Sequence, residues 1–278
     1  MFASVALAAR IEAAEARLTE ALGRAVLAAN PAAGTFLEKV CGGIALYAGP
    51  SSPMNKMIGV GFAGLPPDAS LDAIEARFFE RGAPVQAEVA TLAEPAFAAK
   101  LTRRGYVLQN FENVSGRPLD GRDADPRPDP SIRVAPVEPD EAEAWLDASI
   151  TAFAHPDDRG VPSEALPPRE AMEASLRPFL LVSGFRRYCA WMDGRLAGTA
   201  SLRLDDGVAQ LCGAGTVPAF RRRGVQAALL RRRLSDSVLA GCDIAVLTTQ
   251  PGSTSQENGH RQGFALLYTR AILVRAPL

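Results

Sequence analysis

The sequence predicts an α+β protein of two domains, and three observations carry that prediction. A stretch of Pro, Gly and charge, "SGRPLDGRDADPRPDPS" (Ser115–Ser131), divides the 278 residues with almost no large apolar side chain, which is the composition of a linker. The two halves also end alike. "VQAEVATLAEPAFAAKLTRRGYVLQNFENV" and "DIAVLTTQPGSTSQENGHRQGFALLYTRAILV" overlay without gaps, setting Thr91 on Thr249, Arg103 on Arg261, Gly105 on Gly263 and Tyr106 on Phe264. Each reads as strand, helix, Gly-aromatic turn and closing strand, the order expected of a duplicated fold. Finally, consecutive hairpins followed by a helical crossover argue for a mixed, mainly antiparallel sheet flanked by helices in each domain. The expected division is 1–118, a linker 119–130, and 131–278.

Composition narrows the function. Nearly half of the residues are hydrophobic and the formal charge is −1, so nothing points to bulk binding of nucleic acid or membrane. Cys41, Cys189, Cys212 and Cys242 lie far apart, with only His155 and His260 beside them. No metal site is expected, and a reduced, cytoplasmic setting is the simplest inference. "MFASVALAARIEAAEARL" lacks a basic start and is interrupted by Arg10, Glu12 and Glu15, so it reads as an amphipathic helix rather than a signal peptide. No run approaches the roughly 20 apolar residues of a membrane span.

Along the second half, Ile132 to Val137 reads as a strand, and "EPDEAEAWLDASITAF" as a helix with an acidic first turn. A second helix is expected over Pro168–Leu176. "RYCAWMDGRLAGTASLRLDDGVAQLCGAGT" gives three strands joined at Asp193-Gly194 and Asp206-Gly207, both strong hairpin signals. After "PAFRRRG", apolar residues at Val225, Ala227, Leu229, Leu230, Leu234 and Val238 recur at helical spacing. Ile244 to Thr248 is the next strand.

The chemistry concentrates at that strand-to-helix turn. Main-chain N–H groups at a helix entrance and the positive end of its dipole suit a phosphate. Gly224 lets a ligand approach the backbone closely, and Arg221, Arg222 and Arg223 add charge. A solvated, arginine-rich helix start is the plainer alternative. The second triplet, Arg231 to Arg233, is expected to be a solvated face.

Here the sequence resembles the GNAT acyltransferases, whose phosphate signature is Gln/Arg-x-x-Gly-x-Gly/Ala. Arg221 and Gly224 match it, preceded by the usual Pro218 and Phe220, whereas Gln226 stands at the small-residue position. Downstream, Ser255 matches the serine of the family's Asn-x-x-Ser, while Gly252 and Gly259 replace its asparagine and tyrosine. The resemblance spans about Ile132 to Val274. It implies acetyl-CoA as co-substrate, its pyrophosphate held by main-chain amides from Arg222 through Val225 and Gln226 to Ala227. The pantetheine arm would lie along Ala214, Gly215 and Thr216. The implied activity is N-acetyl transfer to a primary amine of a small molecule or peptide by direct transfer; the alternative is a non-catalytic acyl-CoA sensor. A homodimer is compatible with either.

No residue stands out as the proton acceptor. His155, in "FAHPDDRG", lies where the family builds its acceptor site, and Asp157 and Asp158 would select a cationic acceptor or form a solvated loop. Tyr268 is a candidate acid for the thiolate, or an ordinary strand aromatic. Cys212 is the remote option of a covalent nucleophile. In the first half, "GLPPDAS" leads into "SLDAIEARFFERG", where Asp68, Asp72 and Glu75 would repel a pyrophosphate. A degenerate copy of the fold is therefore expected there. "SPMNKMIGVGFAG" is either a cleft lining or a loop leading into a strand.

Overall fold

The protein is described by a computed structural model covering residues 2–32, 34–50, 52–124, 129–155 and 168–277. The chain forms two compact units. One comprises Met1–Ser115, Thr248–Pro251 and Ala265–Leu278; the other comprises Gly116–Leu247 and Gly252–Phe264.

The first unit opens with the amphipathic helix α1 (Val5–Ala29), capped by Ser4, whose hydroxyl accepts from the Leu7 N–H at 3.1 Å. Then come β1 (Phe36–Val40), β2 (Gly43–Tyr47), β3 (Lys56–Ile58), α2 (Asp68–Phe79), β4 (Val85–Ala90), α3 (Pro95–Arg103) and β5 (Val107–Pro118). The second unit carries β6 (Ile132–Pro136), α4 (Ala142–Phe153), α5 (Arg169–Leu176), β7 (Phe185–Met192), β8 (Arg195–Asp205), β9 (Val208–Thr216), α6 (Val225–Leu239), β10 (Ile244–Thr249) and α7 (Thr254–Arg261). The last strand, β11 (Ala265–Arg275), returns to the first unit.

Strand order in the first unit is β1-β2-β3-β4-β11-β5, with β3 and β4 parallel; in the second it is β10-β9-β8-β7-β6, with β10 and β9 parallel. In each unit helices pack on the strands, as the α+β expectation requires. Phe36, Leu71, Ile74, Phe78 and Phe97 fill the first core, where Phe36 and Phe78 meet edge to face at 4.9 Å. Tyr188, Leu202, Phe220, Val225, Leu229 and Phe264 fill the second. Each such side chain contributes roughly 1.5–3 kcal/mol on burial.

Local signals take the predicted form. At Asp193-Gly194 φ is 53° and 71°, and at Asp206-Gly207 it is 48° and 72°. Positive φ at both central residues defines the tight turn that Asp-Gly favours. The two Gly-aromatic turns are also duplicates in geometry. Gly105 and Gly263 have φ of 88° and 84°, and each follows a helix. Gly105 donates to Thr102 O and Tyr106 to Leu101 O, while Gly263 donates to His260 O and Phe264 to Gly259 O. The spacing that sets Gly105 on Gly263 maps every one of these partners onto its counterpart.

One element falls elsewhere than sequence order suggests. β11 lies within 131–278, yet it pairs antiparallel with β4 from Arg270↔Ala90 to Arg275↔Val85, so it belongs with the first unit. Part of the 119–130 stretch is ordered within the second unit. Leu119 donates to Asp243 O at 2.9 Å, and a helical turn over Gly121–Asp123 is capped by Asp120. Residues 125–128 lie outside the described residues. "SPMNKMIGVGFAG" is a loop leading into β3, fixed by Asn55, which donates to Gly49 O and accepts from Ala48 N–H, both at 2.7 Å. Among the described residues no helix is long and apolar enough to cross a membrane.

Candidate functional site

The turn between β9 and α6 begins with a single 3₁₀ turn, Pro218–Phe220, whose ring is buried. Arg195 and Arg223 lie over that ring at 5.1 and 5.7 Å, which anchors the turn to the core. Arg222 then has φ 60° and Gly224 φ 84°. Gly224 is the cap of α6, and among the described residues no side-chain cap bond closes this helix entrance. The first helical bond runs from Ala228 N–H to Gly224 O. Among the described residues, the N–H groups of Val225, Gln226 and Ala227 therefore have no acceptor, and the helix dipole adds positive potential at the same place. A Cβ on Gly224 would meet only Ile132 Cδ1, at 3.6 Å, so glycine is needed for the backbone angle rather than for space.

The three arginines are not equivalent. Arg223 pairs with Asp193 at 3.0 Å, and Arg221 donates to the main-chain oxygen of His155. Arg222 is exposed. The turn is thus two tethered cations around one that faces solvent.

The strand leading into the turn is open along one edge. β10 matches β9 only from Ile244↔Val208 to Val246↔Gln210. Beyond Gln210 no register joins these two strands among the described residues, so β9 continues past its parallel neighbour, the kind of strand edge along which an extended segment can be added. On its other side β9 bulges against β8: Ser201 pairs with Cys212, but Thr199 pairs with Gly215. The extra residue falls at Gly213–Ala214, where Gly213 is exposed with φ 20°. Gly215 has a further reason to be small, because a Cβ there would stand 2.5 Å from Ala152 Cβ on α4. Ala214 and Thr216 are half-buried beside it.

Of the other predicted residues, the structure brings His155 to the turn through its carbonyl. Its Nδ1 donates to Thr151 O at 2.9 Å, so a neutral ring keeps its lone pair on Nε2. Ser255 is exposed in the first turn of α7, whose cap is its neighbour Ser253. Asp157 and Asp158 lie outside the described residues. Tyr268 is in the first unit and 4% exposed; its hydroxyl donates to Glu12 Oε1 at 2.7 Å, and burial raises its pKa far above the ordinary phenol value. This is a core aromatic with a buried partner, not an accessible acid. Gln226 Oε1 is buried with no hydrogen-bond partner.

The expectation of a solvated Arg231–Arg233 face needs correcting. Arg232 pairs with Asp236 at 3.0 Å, but Arg233 is only 4% exposed and lies under the sheet. The spacing that buries Leu229 and Leu230 also turns position 233 inward.

A family model described as the Acetyltransferase (GNAT) family matches residues 149–264. Those residues form a GNAT-family acetyltransferase domain. Solved structures extend the same fold over both halves of the chain. A GCN5-related N-acetyltransferase from Kribbella flavida superimposes with a TM-score of 0.64 and 18% identity, covering 93% of this chain and 94% of its own. A tandem GNAT protein from the clavulanic acid biosynthesis pathway gives 0.58 and 14%, covering 87% and 83%. A GCN5-related N-acetyltransferase from Sphaerobacter thermophilus gives 0.54 and 18%, covering 75% and 67%. No curated protein matches the chain in sequence. The GNAT domain contains both the turn and the open β9 edge.

Proposed function

We propose that the second unit binds acetyl-CoA and transfers its acetyl group directly to a primary amine of a small molecule or peptide, and that the first unit is a degenerate copy without a donor site. One observation carries this: the stretch of β9 beyond its register with β10 runs straight into the α6 entrance, whose glycine cap brings no side chain. An extended amide-bearing arm would pair along Leu211–Thr216, and its pyrophosphate would then meet the N–H groups from Arg222 to Ala227. Arg222 supplies exposed positive charge, and Arg221 and Arg223 fix the loop.

In the transfer the amine nitrogen bonds to the thioester carbon and the C–S bond breaks. CoA departs as a thiolate that takes up a proton. Alignment of the two reactants and polarisation of the carbonyl by a β9 N–H supply much of the acceleration. The amine, with an ordinary pKa of roughly 10, must first lose a proton. His155 Nε2 is available for this, but His155 flanks the turn, whereas Phe153 is the side chain beside the bulge. If His155 is the acceptor, His155→Gln lowers kcat while the acetyl-CoA Kd stays within about twofold.

Calorimetric titration with acetyl-CoA, followed by thiol release across a panel of amines, tests the function. Saturable binding with release supports the transferase. Binding without release on any amine supports an acyl-CoA sensor, and no binding sinks both.

A further inference from the structure

Arg233 is an unusual resident of a core. It is 4% exposed, and among the described residues no carboxylate lies within ion-pairing distance. Burial lowers its pKa to about 10, so it remains charged at neutral pH. A buried cation without a counterion is costly to keep, and hydrogen bonds to its donors offset that cost.

Its Nε and Nη1 donate to main-chain carbonyls. Nε reaches Leu229 O at 3.3 Å, one turn back on α6. Nη1 alone reaches two strands, at Ser201 O (3.1 Å) and Cys212 O (3.4 Å). Ser201 and Cys212 are the last register pair before the ladder slips to Thr199↔Gly215. The register shift beyond this pair loosens the ladder and brings both oxygens within reach of one helix side chain. The guanidinium straddles the place where the bulge begins.

We infer that Arg233 is a positioning residue that pins the start of the β9 bulge and so holds Gly213–Thr216 in the shape that receives the pantetheine arm. The inference rests on the acetyl-CoA reading above. Its geometric half, the pinning, does not depend on any ligand. Methionine would fill the same space without supplying donors, and lysine would keep the charge without a planar fork able to reach both strands and the helix together.

Two measurements on the full chain test it. In the unliganded protein, Arg233→Met should speed amide hydrogen exchange across Leu211–Thr216 by tenfold or more, with β6 and β7 unchanged. In calorimetry, the same variant should weaken acetyl-CoA at least tenfold while 3′-phosphoadenosine 5′-diphosphate, which lacks the pantetheine arm, keeps its Kd within about twofold. Arg233→Lys should fall between wild type and Arg233→Met in both. Equal losses for the two ligands, or unchanged exchange at the bulge, would overturn the assignment. If neither variant folds, Arg233 supports the whole unit rather than the bulge, which also overturns it. A wild type that binds no acetyl-CoA fails the reading above, while the exchange result still decides whether Arg233 pins the strand.

Discussion

The helices α2 and α6 occupy matching places in the two halves, and their entrances have opposite chemistry. At α6 the cap is a left-handed glycine and the first N–H groups have no acceptor. At α2 the cap is Pro67, which follows another proline, so two of the N–H groups that could face a phosphate are missing. Carboxylates then line its first turns. Arg104 of the α3 terminus bonds Asp68 at 3.2 Å, Glu75 at 2.7 Å and Asp72, and Lys100 bonds Asp68 at 3.0 Å and Pro66 O at 2.8 Å. The strands before these helices differ in the same sense. Beyond β3, Gly61 O accepts from Glu94 N–H at 2.8 Å, and a Cβ on Gly61 would stand 3.0 Å from Ala93. On β9 the register with β10 ends at Val246↔Gln210, ahead of the turn. A single fold thus carries one entrance neutralised by its own side chains and one left open, and what separates them is where carboxylates and prolines fall.

The largest effect is expected from breaking the closed entrance. Glu75 is 3% exposed and held by both Arg104 and Arg275. Removing one partner of a buried pair costs about 3 kcal/mol, so Arg104→Met should lower unfolding free energy by that order in denaturant titration. Asp68 is held below its ordinary value of 3.8, chiefly by Lys100. A carboxylate shifted downward contributes stability above its unfolded pKa and loses it as pH falls through the folded value, so the smaller deficit of a Lys100→Met variant should shrink below about pH 4. Acetyl-CoA stoichiometry should stay near one per chain, because the carboxylates remain. A second equivalent bound by Arg104→Met would show that Arg104 alone had been blocking a working site.

The next effect comes from making the open entrance resemble the closed one. Gly224→Asp sets a carboxylate where the pyrophosphate would lie and forfeits at least one charge-assisted bond, on the order of 1.5–3 kcal/mol. Acetyl-CoA binding should weaken tenfold or more. Aspartate tolerates left-handed backbone better than most residues, so the melting temperature should move little. Unchanged affinity would remove the turn from the site.

What the sequence disclosed followed from strictly local rules. Asp-Gly pairs announced the hairpins, Gly105 and Gly263 the helix exits, and Arg221–Gly224 the turn, because each depends on a few adjacent residues. The missed features depend on partners far along the chain. Nothing local to Ala265–Arg275 says that its edge will meet β4 rather than a strand of its own half. Arg233 was legible by spacing alone, since it shares a face with Leu229 and Leu230, but a charge at that position argues for solvent until the carbonyls of the bulge are seen. Tyr268 was assigned from its strand, and its burial against Glu12 appears only once α1 is packed.

The smallest effect concerns Gln226, the residue at which the open entrance departs from the family signature. Its Oε1 is buried without a hydrogen-bond partner, a situation that costs about 1–3 kcal/mol. An acceptor oxygen cannot be satisfied by a phosphate, whose own oxygens are acceptors. As drawn, the amide therefore gains nothing from the pyrophosphate, and binding there falls to the main chain. Gln226→Met keeps the length and removes the orphan atom. It should raise unfolding free energy by about 1 kcal/mol and leave the acetyl-CoA Kd within about threefold. The opposite outcome is equally readable, because rotating the amide exchanges Oε1 for a donating Nε2. If Gln226→Met lost tenfold or more in affinity without gaining stability, the side chain would be a phosphate donor. The open entrance would then rely on a side chain where the signature has a residue too small to supply one.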